Sequence, residues 1–384
     1  VQPPTDGPRA GFTTAQVEYL IENASSYDVG MGLELLDGLD TMQVQDDLSD
    51  WLTAATVGRS NYATIHGSAT FSLDTPLSWG NSIVRPYMTL TGPISSLATS
   101  LTTMKFYQGA YFVDAPEEDL AQDPPTWDVT GYDVLSILDD PIGDDFSIDK
   151  GVLYLAFAEQ ILIDRGITQY HIDQGQAAAV AASPKVWALD ENPTWLEVVN
   201  YCLGAVGYQG IWTDWNGAFQ LREYLSPTDR SPEWLLTADV ANTLLTQRRK
   251  RSRDYYDAPN RWVFYQSNVT EEQPVDGDGR YEYVNQYVGE TSVEARGGRT
   301  ITRPPEGVDV ADHASLVQYA KRVIDADILI PTKVSIDVAP LPLIWHMDRY
   351  SVSDPALGAA VEVLGASWTA NLDGSDVTHE WSVL

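Results

Sequence analysis

The sequence predicts an α+β protein that is mostly β, with two β regions on either side of a mixed α/β insert. Strict alternation marks the first region. Ala69, Phe71 and Leu73 are apolar while Thr70, Ser72 and Asp74 are polar, the period-two pattern of a strand with one buried face. The insert is specified most sharply over residues 192–224. Thr194 and Glu197 make a capping box ahead of an apolar stripe at Leu196, Val199, Leu203 and Val206, and Gly207 stands where a helix ends in a left-handed residue. Asn216-Gly217 then joins two runs in a tight hairpin, since that dipeptide accepts positive φ at both central positions. The second β region shows short strands at 333–338, 349–352, 360–364 and 378–383, punctuated by Pro340, Pro342, Pro355 and Asp373-Gly374.

Taken in order, residues 1–26 form an N-terminal arm, rich in proline and glycine at first. A short helix over 13–23 follows, with Thr13 and Gln16 as cap partners and Val17, Leu20 and Ile21 as its apolar side. Residues 27–140 make the first β region, a small barrel or sandwich. The β pattern begins near Leu33, passes Val44, Asp46-Asp47 and Trp51, and continues in strands at 83–90, 104–108, 110–113 and 127–129. Gly131-Tyr132-Asp133 begins a short helix through Leu138, and the acidic, turn-rich stretch 139–149 is a boundary. The insert, 141–226, opens with a helix over 152–164 that carries Leu153, Phe157, Ile161 and Leu162 and closes at Gly166. Residues 227–384 hold the second β region with peripheral elements. These comprise Trp234-Leu235-Leu236, a strand at 261–266, a polar hairpin tip at 271–279, a return strand at 281–288, and a helix capped by Asp312 with Leu316, Ala320, Val323 and Ile324 on one side. Tyr111-Phe-Val-Asp-Ala-Pro116 echoes Tyr350-Ser-Val-Ser-Asp-Pro355 faintly, as two related β units would.

At 384 residues and 43% hydrophobic, the chain has enough apolar material for several cores. Its formal net charge is −32, and residues 1–150 hold 5 Lys/Arg against 23 Asp/Glu. Such a field repels nucleic acid and anionic membranes. It suits either a solubility adaptation or a surface past which DNA slides without sticking. The single cysteine, Cys202, lies in the helical stripe, so it forbids an internal disulfide and serves packing. No apolar run reaches the roughly 18 to 20 residues of a membrane span. The opening VQPPTDGPRAGF lacks the regions of a signal peptide, so synthesis in the cytoplasm is expected.

Reactive motifs are missing. His66, His171, His313, His346 and His379 have no ligand spacing, and one cysteine cannot build a thiolate cluster, so no metal or cofactor site is expected. Neither a G-x-S-x-G elbow nor a G-x-x-x-x-G-K-[ST] phosphate loop occurs. Asp276-Gly-Asp278-Gly lacks the distal Glu of a calcium loop. Among 55 acidic residues some pair always falls at glycosidase distance, yet no local motif promotes one pair, and no catalytic residue is assigned. The one basic run is Arg248, Arg249, Lys250, Arg251 and Arg253, five of 23 positive residues. A nucleic-acid patch, a contact with acidic surface on another subunit, and a solvated strand edge are its three readings.

Five motifs carry a resemblance: LSWGNSIVRPYMTL (77–90), GAYFVDAP (109–116), WDVTGYDVLSIL (127–138), NPTWLEVVNYCLGAVGYQGIWTDWNGAF (192–219) and DAPNRWVF (257–264). In order and spacing the chain resembles the tail-tip or baseplate hub proteins of long-tailed bacteriophages, more narrowly the hub-type minor tail proteins of phages infecting Actinobacteria. The resemblance implies two tube-type β-barrel domains, a mixed α/β insert and a peripheral domain. It implies a homotrimer in which two barrels per chain match a sixfold tail tube, with a lumen through which DNA passes. The implied partners are the distal tail protein, the C-terminus of the tape-measure protein, and tail-tip or fibre proteins. The chain stops at Leu384, so the C-terminal hydrolase or fibre extension of some relatives is not expected. The competing reading is a tail-associated protein that binds or hydrolyses cell-wall glycans with acidic and aromatic side chains.

Overall fold

The structure is a computed structural model and describes residues 13, 16, 19, 28–75, 82–93, 95, 98, 100–114, 117–120, 125–237, 245–253, 255–267, 279–329, 332–338, 344–355, 357, 361–375 and 377–384. Of the predicted arm, residues 1–26, all but 13, 16 and 19 lie outside them, as do Val17, Leu20 and Ile21 of its predicted helix and the hairpin tip at 271–278. At residues 13 and 16 the predicted cap is made, with Gln16 Oε1 accepting from Thr13 N at 2.7 Å.

The first β unit contains β1 (Asp28–Leu36), β2 (Val44–Asp47), β3 (Leu52–Ser60), β4 (Gly67–Leu73), β5 (Ile83–Gly92), β6 (Thr102–Tyr107), β7 (Tyr111–Val113), β8 (Glu117–Asp119) and β9 (Thr126–Asp133). They are ordered β3-β4-β9-β7-β5-β1-β2, with β6 added to β5 and β8 to β9. The predicted alternation holds, because Ala69, Phe71 and Leu73 are buried while their neighbours face outward. β9 runs on through Asp133, so 131–133 are strand and not the start of a helix. A side chain at Gly131 would crowd Tyr111 and Phe71 across the sheet, which is why glycine sits in this strand. Asp133 caps the 3₁₀ turn Val134–Leu138 instead, accepting from Leu135 N at 3.0 Å.

The insert holds β10 (Phe146–Ile148), α1 (Tyr154–Asp164), β11 (Tyr170–Ile172), β12 (Lys185–Trp187), α2 (Trp195–Ala205), β13 (Trp212–Thr213) and β14 (Phe219–Leu221). The capping box is made in both directions: Glu197 N donates to Thr194 Oγ1 at 3.2 Å and Thr194 N to Glu197 Oε2 at 3.0 Å. Leu196, Val199, Cys202, Leu203 and Val206 are buried in the insert core, and Gly207 has φ +77°. The hairpin differs in its turn. Asn216 keeps a negative φ and only Gly217 is left-handed, while Asp214 Oδ1 accepts from Asn216 N and Ala218 N. This is a three-residue loop closed by an aspartate, not a two-residue turn. Its tip presses on the first unit: a Cβ on Gly217 would lie 2.5 Å from Ala110 Cβ, and Gly109 N donates to Trp215 O at 2.9 Å.

The remaining elements are β15 (Trp234–Thr237), β16 (Leu245–Arg253), β17 (Arg261–Gln266), β18 (Arg280–Val284), β19 (Glu306–Val308), α3 (His313–Leu329), β20 (Thr332–Val338), β21 (Arg349–Ser353), β22 (Val361–Asn371) and β23 (Val377–Val383). Strands β17, β18 and β19 form a small peripheral sheet, over which α3 packs Leu316, Ala320 and Ile324 around Trp262 and Phe264. Asp312 Oδ1 caps α3 as predicted, accepting from Ser315 N at 2.8 Å. The second β unit is ordered β16-β20-β23-β22, with β21 on β22 and β15 on β21. β22 runs past the predicted end at 364. A register shift between Gly365 and Ser367 interrupts its pattern, and Ser367–Asn371 then pair with Ser60–Thr56 of β3. That ladder joins both β units into one 15-stranded sheet around a common apolar cluster that includes Val57, Phe71, Leu90, Val334, Tyr350 and Trp381.

Thr194→Ala should cost about 1 kcal/mol, because the Glu197 amide loses its acceptor at the start of α2. Urea unfolding of this variant beside wild type measures it.

Candidate functional site

β16 is the terminal strand of the 15-stranded sheet, and the basic run lies on it. Its inner side pairs with β20, in the register Arg249↔Ile336, Lys250↔Ser335, Arg251↔Val334 and Arg253↔Thr332. Arg248 and Arg249 are placed by this strand, whereas the side chains of Lys250, Arg251 and Arg253 are exposed. Arg251 shares its register line with buried Val334, so an arginine stands where an apolar residue would extend the core; it donates to Leu357 O at 2.8 Å. Arg253 reaches Glu290 at 3.5 Å. The run therefore stays on the sheet margin, and among the described residues no strand covers its outer side.

A second group of polar residues was not legible as a site because its members are scattered through the sequence. Arg59 on β3 and Asp133 at the end of β9 are 3% and 2% exposed, with Arg59 Nη1 3.3 Å from Asp133 Oδ2. Arg59 Nη2 donates to Thr213 O at 3.0 Å, Thr213 Oγ1 donates to Asp133 Oδ1 at 2.9 Å, and Trp345 Nε1 also donates to Thr213 O at 3.0 Å. The guanidinium lies 4.7 Å from the centre of the Trp345 ring. Burial lowers the pKa of Arg59, and the Asp133 carboxylate opposes that. First unit, insert and second unit thus meet on one ion pair. Its signal was present: Arg59 follows Ala55 and Val57 in phase, and Asp133 follows Val129 and Gly131, each a charge at an inward-facing position.

Beside it, His66 and His346, far apart in sequence, have ring centres 4.8 Å apart, and Trp212 stacks on His346 at 4.8 Å and 14°. Both line a cleft of about 390 Å³ with Asn61, Tyr224, Arg303 and Arg322. Burial, then the Arg59 charge, lowers the pKa of His66 to about 4, and burial likewise holds His346 well below the usual histidine range. His379, 1% exposed, is lowered to about 3 by burial alone. Among the described residues no group of three His, Cys, Asp or Glu side chains could hold a metal ion. Cys202 is buried, which raises its thiol pKa to about 12. The Thr213 hydroxyl is 1% exposed and spent on a carboxylate that already serves an arginine. The arrangement is built to hold parts together.

No family model matches the sequence, and no curated protein does. Solved structures do match. The tail protein from Neisseria meningitidis superposes at TM-score 0.63 with 12% identity, over 93% of this chain and 96% of that one. The fold is that of phage tail proteins. A second tail protein, 43 kDa, of prophage MuSo2 from Shewanella oneidensis, gives TM-score 0.58 with 12% identity over 92% and 98% of the two chains. Prophage tail protein gp18 from Listeria monocytogenes gives 0.51 with 14% identity over 91% and 94%. The tail-protein fold thus covers both β units, the insert and the peripheral sheet, as the sequence resemblance implies. None of these three tail proteins carries the narrower likeness to phages of Actinobacteria.

Asp133→Ala should destabilise the protein by about 3–5 kcal/mol, since it leaves Arg59 buried without its carboxylate. Arg59→Met with Asp133→Leu should recover much of that loss; denaturant midpoints of the three proteins decide it. Acid should also destabilise the fold. The unfolded histidines take protons near 6.5, whereas folded His66 does so only at about 4, so stability present above pH 6.5 falls as pH drops towards 4. Melting temperatures across that window should show a shallower fall for His66→Gln/His346→Gln than for wild type.

Proposed function

We propose that this chain is the hub of a phage tail tip, a structural protein that works as a homotrimer. One observation supports the reading above all: the likeness to tail proteins runs almost end to end, through two β units that one ladder joins within a single chain. On this reading the domains are an arm (1–26), a first hub barrel (27–140), the insert (141–226) and a second hub barrel with peripheral elements (227–384). Three chains bring six β units, which adapts a sixfold tube to a threefold tip. The distal tail protein sits above, the tape-measure C-terminus ends inside, and tail-tip or fibre proteins attach below and around. The protein acts in the virion, at the tail tip. The −32 net charge suits a channel wall that DNA passes without binding. The reading assigns no catalytic step and no cofactor.

The basic run on β16 is the contact between subunits in this proposal. Light scattering on the purified protein should give three times the chain mass, and particle images should show a ring with a central opening. A monomer that clears cell-wall substrate would instead support the glycan-hydrolysing alternative. Replacing Arg248, Arg249 and Lys250 with Ser should weaken the trimer, read by light scattering as a lower mass at a given concentration, while far-UV circular dichroism remains that of the folded chain.

A further inference from the structure

β6, β8 and β15 each attach to a single neighbour beside the main hydrogen-bonded path of the large sheet, and that path has two ends. One is β16 and the other is β2. Among the described residues neither has a strand on its outer side. Their charges are opposite: β16 ends Arg249-Lys-Arg-Ser-Arg253, whereas β2 is Val44-Gln-Asp-Asp47 with Asp50 close behind. All four residues of β2 are exposed, Val44 at 47%. Open edges invite pairing with another chain, and natural sheets usually blunt them with charge. Here each edge is blunted with the sign that attracts the other and repels itself.

We propose that β16 of one copy docks against β2 of the next, so that the sheet continues from chain to chain. This rests on the hub reading and specifies its subunit contact. The two surfaces are different patches of one molecule, so the contact is heterologous and runs head to tail, and it closes into a ring where the rotation permits. Side-chain geometry agrees. Successive strand residues face opposite sides, so Asp46 and Asp47 project to the two faces of the sheet, as do Lys250 and Arg251. A single register therefore sets an acid against a base on each face, and opposite charges across a strand pair stabilise it. A copy meeting another edge to like edge faces repulsion on both sides, which selects the head-to-tail arrangement. Lys105, whose charge acts on Asp47, and Glu290, which meets Arg253, are opposing groups beside the two edges, and neither makes an ion pair with Asp46 or Lys250.

The test is a charge exchange in the full chain. Asp46→Lys/Asp50→Lys should weaken self-association about tenfold, as should Lys250→Glu/Arg251→Glu, both read by sedimentation and by its dependence on salt. Asp47 is left in place because its carboxylate caps Ser49. Mixing the two variants should restore association between them, and a chain carrying all four changes should recover assembly only in part, because its unchanged Asp47 then meets a glutamate. Engineered cysteines give an independent reading, since native Cys202 is buried. Gln45→Cys with Ser252→Cys in one chain should crosslink under oxidation into dimers and then closed trimers, while either change alone should leave monomers on a denaturing gel. Normal trimers that ignore every charge change, or crosslinking by Gln45→Cys alone, would overturn the edge contact and leave the hub reading standing. A wild-type chain that stays monomeric at all concentrations would overturn both.

Discussion

The ion pair between Arg59 and Asp133 is the constraint on which the arrangement of the units depends. A buried charge is tolerated only when its partners are held in good geometry. Here those partners come from β3, from the end of β9, from the Thr213 carbonyl and hydroxyl in the insert hairpin, and from Trp345, which enters from the second β unit and shares the same carbonyl. Asp133 serves twice, since it also caps the turn that leads into the insert. Displacing any one unit would strand a charge or a carbonyl in an apolar setting, so the polar cluster fixes orientation where apolar packing alone would permit sliding.

Strand pairing supplies the second lock. The β22–β3 ladder pairs residues about 310 positions apart, and the Ser60 end of that ladder adjoins Arg59. Thr56 Oγ1 adds a bond to Asn371 Oδ1 at 2.8 Å across it. Two β units that might have been flexibly tethered are instead one sheet with one core, and the insert hairpin, with Gly217 pressed on Ala110, closes against their shared flank.

Local features of this fold were legible in the sequence, and long-range ones were not. The α2 capping box, the Gly207 stop and the Asp312 cap are contacts over three or four residues, so the chain states them outright. The alternation of β4 was equally plain because one of its faces is buried and the other wet. The end of β22 was missed because Gly365 breaks the pattern while its reward, pairing with β3, lies far away in sequence. The hairpin turn was misassigned since Asn-Gly permits two positive φ values, and the Asp214 side chain selects a different loop. As for the sites, the basic run was visible as composition, but its position on an open edge is a property of sheet order alone. Arg59, Asp133, His66 and His346 are single polar letters whose meaning appears only when three units meet.

The same physics explains how a fold match over more than nine-tenths of the chain coexists with 12% identity. Backbone hydrogen bonds in a sheet are made by the peptide, which every residue carries, and the core asks only for apolar side chains at alternate positions. Much of the sequence is therefore free to change without altering the pairing of strands. What the peptide cannot specify is which edge joins which, because every open edge offers the same amides and carbonyls. That choice must be written in side chains at the margins, where a few charges exclude wrong partners more effectively than they strengthen right ones. In a chain of net −32, five of the 23 bases fall within six residues of one strand at an end of the sheet's main path, so side-chain charge marks this edge off from the rest of the molecule.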